Sequence, residues 1–432
     1  MNTVAFHTLG CKVNQYDTQA MLELFRAAGY TIVPFHGEAD VYVVNTCTVT
    51  GTGDKKSMQL TRRLRREHPQ SHIILCGCLA QRKGEELLDT GARLILGTQR
   101  RGEVVSLLEQ AVREDRQICA VDALTTATPF ENLTITDQEE HTRATLKIQE
   151  GCNNHCTYCI IPSVRGPIRS RPLADVAAEA RRLADAGYCE LVLTGIHLSS
   201  YGKDLQDGTT LLDAIRAVHE VEGVQRIRLG SLEPTIATVE FSARLAQMDK
   251  VCPQFHLALQ SGSDTVLARM ARRYNMTMYM QAVENLRAAF PHAAFTTDVL
   301  TGFPGETEEE YQETRRMIEQ VGYAKIHVFP YSQREGTKAA VMPNQLPNAL
   351  KDQRARELIA LGETTARAYQ ESWLGCTATV LVEEQDAAGN WLGYTPEYIP
   401  VTIADCPACV PGRIVTIRLT NPTAEGMTGE II

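Results

Sequence analysis

The sequence predicts a mixed α/β chain of three domains: an open parallel α/β sheet, then a partial (β/α)6 barrel of the TIM-like kind, then a small all-β barrel. Three observations carry that reading. Short apolar runs alternate with longer amphipathic segments in two separate stretches, the pattern of strands feeding helices. A polar interval divides the two stretches, and the last sixty or so residues change to short β-like runs broken by Gly and Pro. At 432 residues the chain is also too long for a single hydrophobic core.

In the first stretch, residues 1–118, the strands are Val4-Ala5-Phe6, Val41-Tyr42-Val43-Val44, Ile73-Ile74-Leu75 and Leu94-Ile95-Leu96. Helices are expected from Gln15, Lys55, Arg82 and Gly102. Residues 119–141 form the expected linker, rich in Thr, Asp and Glu from Val121 to His141. The second stretch, 142–372, repeats strand and helix six times, with strands at Leu146-Lys147-Ile148, Glu190 to Leu193, Arg226 to Leu229, Phe255 to Leu259, Thr296 to Leu300 and Ile326 to Phe329. A long helix from Asn348 to about Trp373 closes it. In the last part, 373–432, the runs Thr377 to Val382, Tyr398 to Ile403 and Arg413 to Ile417 predict a five-strand barrel.

Composition narrows the function classes. No apolar run is long enough to cross a bilayer, so no membrane contact is expected. Met1 to His7 lacks a basic segment followed by an apolar one, so a reducing, cytoplasmic compartment is expected. The thirteen cysteines are therefore read as ligands, catalysts or buried thiols rather than disulfides. A net charge of -9 leaves RNA binding to local patches. Lys55, Lys56, Arg62, Arg63, Arg65 and Arg66 crowd one helix, and Arg165, Arg169 and Arg171 are assigned to phosphate contact beside the central cysteine loop.

Gly151-Cys152-Asn153-Asn154-His155-Cys156-Thr157-Tyr158-Cys159 puts three thiols directly after the first barrel strand, at the carboxyl ends where such barrels keep their active face. Three thiolates can hold three irons of a 4Fe-4S cube and leave the fourth open. Half a zinc site completed by His155, or plain buried thiols, are the alternatives. Cys11, Cys47 and Cys78 each follow a strand of the first domain, and loops at the carboxyl ends of neighbouring strands meet in one crevice. A second three-thiolate cluster is expected there. Strand alternation aims Cys76 at a sheet face instead. Cys119, Cys189, Cys252 and Cys376 are read as buried thiols, and Cys406-Pro407-Ala408-Cys409 as a loop without metal.

The spacing of Cys152, Cys156 and Cys159, with Tyr158 before the last, resembles the radical S-adenosylmethionine motif. From end to end the chain resembles the methylthiotransferases of that superfamily, through Thr8-Leu9-Gly10-Cys11-Lys12-Val13-Asn14, Asn45-Thr46-Cys47-Thr48-Val49, Gly77-Cys78-Leu79-Ala80-Gln81, Gly166 to Arg171, Thr301 to Thr307 and Tyr331 to Thr337. The resemblance implies a cluster-binding first domain, a catalytic radical barrel and a terminal RNA-binding barrel of the TRAM type. It implies two 4Fe-4S clusters and S-adenosylmethionine, with Cys152, Cys156 and Cys159 catalytic, and with Tyr158, Thr194, Gly195, Gln260 and Ser261 lining the cofactor pocket, followed by Gly262 and Ser263. Gly-Cys-Lys-Val-Asn and His327 to Ser332 resemble the branch acting on N6-threonylcarbamoyladenosine beside the anticodon of tRNA. Such an enzyme needs the anticodon stem-loop and an electron donor such as flavodoxin or ferredoxin. The rivals are action on isopentenyladenosine tRNA or on a ribosomal protein side chain, and a non-catalytic iron-sulfur RNA-binding protein. His155, Ser163 and Ala258 depart from the family pattern without touching an expected ligand.

Overall fold

The structure is a computed structural model and describes residues 1–137, 142–404, 406–407 and 409–432. Residues 138–141 of the expected linker, and Ala408, lie outside the described residues.

The first sheet is built from β1 (Thr3–Thr8), α1 (Lys12–Ala27), β2 (Thr31–Ile32), β3 (Val41–Thr46), α2 (Gly51–Glu67), β4 (His72–Gly77), α3 (Cys78–Lys83), β5 (Leu94–Leu96), α4 (Val104–Arg113) and β6 (Ile118–Ala120). All strands are parallel, in the order β2-β1-β3-β4-β5-β6. Helices cover both faces, which is why its strands read as unbroken apolar runs. Val41 and Val43 pack with Met21 and Phe25 on one face, Tyr42 and Val44 with Leu64 and Leu75 on the other. Two short edge strands, β2 and β6, lie outside the strands expected from the sequence.

Described residues of the linker are packed against both domains. Ile135 is fully buried, and the Tyr16 hydroxyl donates to the Leu133 carbonyl at 2.7 Å.

The central unit runs β7 (Ala144–Glu150), α5 (Ile161–Arg165), β8 (Arg169–Ser170), α6 (Leu173–Asp185), β9 (Glu190–Gly195), α7 (Leu211–His219), β10 (Arg226–Leu229), α8 (Val239–Ala246), β11 (Gln254–His256), α9 (Asp264–Arg269), α10 (Met276–Ala289), β12 (Ala294–Thr301), α11 (Glu308–Val321), β13 (Lys325–Pro330) and α12 (Asn348–Glu371). Its strands form an arc, β8-β7-β9-β10 and β11-β12-β13, joined by bridges Ile227↔Val251 and Leu232↔Leu257. Outward-facing Leu146, Ile148, Leu191, Leu193, Ile227 and Phe255 pack in one core with the helices. The alternate, inward positions include Lys147, Glu190, Arg228, His256 and Asp298. A wall that is apolar outside and polar inside encloses a lumen built for a polar guest.

The last unit is the expected five-strand closed barrel: β14 (Thr377–Gln385), β15 (Trp391–Tyr394), β16 (Pro400–Ile403), β17 (Ile414–Pro422) and β18 (Met427–Ile431). It sits against the amino ends of the central strands. Arg226 donates to the Tyr394 carbonyl at 3.0 Å and Arg228 to the Pro396 carbonyl at 2.9 Å, while both pair with Glu190. The Arg228 guanidinium lies 4.5 Å from the centroid of the Tyr398 ring. No helix among the described residues is long and apolar enough to cross a membrane.

Candidate active site

The loop after β7 depends on Gly151. Its φ is +72°, and a Cβ there would stand 1.8 Å from the Pro167 carbonyl oxygen, so only glycine lets the chain pass its own return. The Cys152 N–H then donates to the Gly166 carbonyl at 3.0 Å, and the Asn154 N–H to Cys152 Sγ at 3.4 Å. Burial pushes the Cys159 thiol up to about 12, with Cys156 and Cys152 adding to the rise against the Ile161 N–H. Burial likewise raises Cys152. Arg272 donates to Cys156 Sγ at 3.3 Å. Three soft thiols beside a buried guanidinium fit an iron-sulfur cube, whose thiolates need a dry site and a nearby positive charge.

A polar cluster that the sequence reading missed borders these thiols. Glu233 lies 3.0 Å from His197 Nε2 and 3.4 Å from Arg272, and it accepts from Asn154 at 3.3 Å. Burial alone would raise its carboxyl, but the His197 hydrogen bond and the Arg272 charge bring it down to about 2. Its one available signal was position: Glu233 follows β10 just as Thr194-Gly195 end β9.

The expected cofactor residues ring the same carboxyl-end face, each differently. Tyr158 is partly buried, edge-on to Phe303 with centroids 6.4 Å apart. Thr194 is 4% exposed at the end of β9. Gly195 is glycine for a local reason, since a Cβ would meet Gln149 at 2.8 Å. Gln260 holds φ +64°, a strained left-handed turn pinned by its N–H to the Asp298 carbonyl. Ser261 is fully buried and turns its hydroxyl to Thr314 at 3.3 Å.

Cys11, Cys47 and Cys78 lie at the carboxyl ends of β1, β3 and β4, three neighbours in the sheet. The backbone of Gly10 closes on Cys47, where an added Cβ would meet Sγ at 3.1 Å. Burial pushes Cys78 up to about 11, with Cys11 and Cys47 among the causes of the rise and Arg165 opposing it. Cys76, fully buried, lies in the core with Val4 and Ile74, its thiol 3.7 Å from the Val44 carbonyl. Among the described residues no three His, Cys, Asp or Glu side chains converge on a single ion. Thiolates of a cube each take a different iron and need not converge.

Arg165 joins the two thiol sets. Its Nε donates to Cys78 Sγ at 3.2 Å, its Nη1 to Glu150 at 2.9 Å and to Asp17 at 3.1 Å, and its Nη2 to Asn14. Lys147 adds pairs to Asp17 at 2.6 Å and Glu150 at 2.9 Å, and Arg101 a further one to Asp17. Positive charge all round, chiefly Arg165, holds Glu150 well below its usual range despite burial. Cys78 also packs on Ile160 and Val164, just after Cys159. The phosphate role expected for Arg165, Arg169 and Arg171 is therefore corrected. These three are 0%, 3% and 0% exposed, and Arg171 is bound to Glu179. Sequence spacing cannot tell a solvated arginine from a buried one: Arg165 and Arg171 fold back on buried carboxylates, and Arg169 is buried with a hydrogen bond to the Pro167 carbonyl. The α2 cations, by contrast, are all exposed.

A second correction concerns oxidation. Cys406 and Cys409 form a disulfide, with Cα atoms 5.3 Å apart, although no disulfide was expected. Of the four thiols read as buried, Cys189 and Cys252 are so, whereas Cys119 is half-buried and Cys376 exposed.

The model of an uncharacterized protein family, UPF0004, matches residues 3–97, and that of the Radical SAM superfamily matches residues 146–318. The chain is 42% identical to the threonylcarbamoyladenosine tRNA methylthiotransferase MtaB of Bacillus subtilis (strain 168), over 100% of this chain and 97% of that protein. It is 34% identical to the protein of the same name from Chlamydia pneumoniae, over 98% and 97%. A tRNA-2-methylthio-N(6)-dimethylallyladenosine synthase from Streptomyces avermitilis is 34% identical, over 100% and 87%. Among solved structures, the radical S-adenosylmethionine methyltransferase TsrM from Kitasatospora setae superposes with a TM-score of 0.58 at 14% identity, over 79% of this chain and 77% of that one. That likeness is one of fold.

Proposed function

The chain belongs to the radical S-adenosylmethionine methylthiotransferases, and from that premise we infer that it converts N6-threonylcarbamoyladenosine of tRNA to its 2-methylthio derivative. The observation that carries the reading is the end-to-end identity of 42% with a relative of that name, covering 97% of it. Two 4Fe-4S clusters and S-adenosylmethionine are its cofactors. Cys152, Cys156 and Cys159 would hold one cluster beside S-adenosylmethionine, and Cys11, Cys47 and Cys78 the other. When bound, these groups would supply one-electron cleavage of the sulfonium and the methyl group to be transferred.

The chain's own side chains prepare the site. Arg272 donates to Cys156 and Arg165 to Cys78, which sets positive charge beside sulfurs that would hold iron. Glu233, ionised, and Asn154 offer an acceptor and a donor suited to the amino and carboxylate groups of a methionine moiety. Buried walls around Cys156 and Cys159 exclude water from a radical. The exposed basic face of α2 suits the backbone of an anticodon stem-loop, whose target base must be splayed out before its C2 can be reached. A flavodoxin or ferredoxin is the fitting class of one-electron donor, and eleven free cysteines suit a cytoplasmic setting.

Mass spectrometry of tRNA nucleosides from cells with and without the gene tests the reading. Deletion is expected to remove 2-methylthio-N6-threonylcarbamoyladenosine and leave its unthiolated precursor. Loss of the methylthio isopentenyladenosine nucleoside instead would move the enzyme to the sister branch.

A further inference from the structure

The inner wall of the central barrel carries cations that the protein does not neutralise. Arg226 and Arg228 share Glu190, and Arg143 pairs with Glu383 at 2.7 Å. Asp298 stands 3.5 Å from His256 Nε2. Lys12, the first residue of α1, enters the field of Arg143, Arg228 and Glu190 at this wall and also that of His327. α1 lies against β7 and β9, which brings its first turn to this wall. On the opposite wall, β12–β13 register sets Lys325 beside Thr296 and His327 beside Asp298, with the His256 and His327 rings 6.2 Å apart. Lys325 and His327 are exposed on this strand. Among the described residues, Lys12 and Lys325 make no ion pair. The lumen therefore holds two unmatched ammonium groups on facing walls, Lys12 near the already shared Glu190 and Lys325 across from it.

We propose that this wall is a carboxylate-binding pocket in which Lys12, with Lys325 and His327 opposite, receives the amino-acid end of the substituent on the target adenosine. The inference rests on the tRNA reading above. The target base must lie near the Cys152 loop and the strand ends, and its N6 substituent leaves another edge of the ring than C2, so it can extend down into the lumen. A free carboxylate there completes two cations. A hydrocarbon substituent would leave the same ammonium groups desolvated with no partner, which is the stronger source of discrimination. Charge-assisted pairing of this kind is worth about tenfold or more in kcat/KM.

The test compares two anticodon stem-loops, one bearing threonylcarbamoyladenosine as the free acid and one as its methyl ester, with the reconstituted full-length enzyme. Wild type is expected to favour the acid by about tenfold or more in kcat/KM. Lys12→Met is expected to collapse that ratio toward one, chiefly through KM, and Lys12→Arg to restore it. Should Lys12→Met fail to take up iron, being next to Cys11, the double variant Lys325→Met with His327→Leu carries the same test from the far wall. An unchanged acid preference in the variant that folds overturns the pocket. Failure of wild type to thiolate either RNA would instead overturn the substrate reading itself.

Discussion

Cys152, Cys156 and Cys159 sit on one loop, whereas Cys11, Cys47 and Cys78 are gathered from three strand ends of a sheet. The contiguous set has its geometry written into the chain, because Gly151 and the return past Gly166 fix the turn locally. The dispersed set exists only once β1, β3 and β4 have paired in parallel register. The two also differ in what supports them. The first leans on Arg272, Glu233 and His197 within the central barrel, the second on Arg165, which comes from the other domain. The first domain's thiols are thus tied to the barrel by a buried charge network, and the two sites are one mechanical unit.

Replacing Cys152, Cys156 and Cys159 together by Ala is expected to have the largest effect, abolishing cleavage of S-adenosylmethionine to below detection by chromatography. Replacing Cys11, Cys47 and Cys78 is expected to leave that cleavage largely in place while eliminating thiolated RNA, read by nucleoside mass spectrometry. Equal loss of cleavage in both would mean that the two regions cannot be separated. Arg165→Met sharpens the link between them. It strands Asp17 and Glu150 as buried carboxylates short of a partner, at a cost on the order of 3 kcal/mol, so the thermal midpoint should fall clearly. A midpoint unchanged from wild type would remove Arg165 as the tie. The smallest effect belongs to Cys76→Ala. That thiol is core filling, so a loss of about 1 kcal/mol is expected with iron content intact.

Much of this was legible in the chain because local rules decided it. Val41 to Val44 reads as a doubly buried strand since helices cover both faces, and what separates Cys76 from Cys78 is the strand end, Cys76 lying inside β4 and Cys78 opening α3. What stayed hidden was decided by partners far away in sequence. Arg165 and Arg171 look like a phosphate grip until Asp17, Glu150 and Glu179 are found beside them. Glu233 looks ordinary until the fold brings His197 and Arg272 to it. The terminal barrel was legible as five strands but not as a plug. Arg226 and Arg228 donate to its Tyr394 and Pro396 carbonyls, so its removal would disturb the central barrel.

The central claim is that two separate thiol triads each hold a cluster, and iron content answers it most directly. Iron analysis with Mössbauer spectroscopy on anaerobically reconstituted wild type and the two triple-alanine variants is expected to give about eight irons for wild type and about four for each variant, as cubic clusters. A full iron complement in the Cys11, Cys47 and Cys78 variant would contradict it.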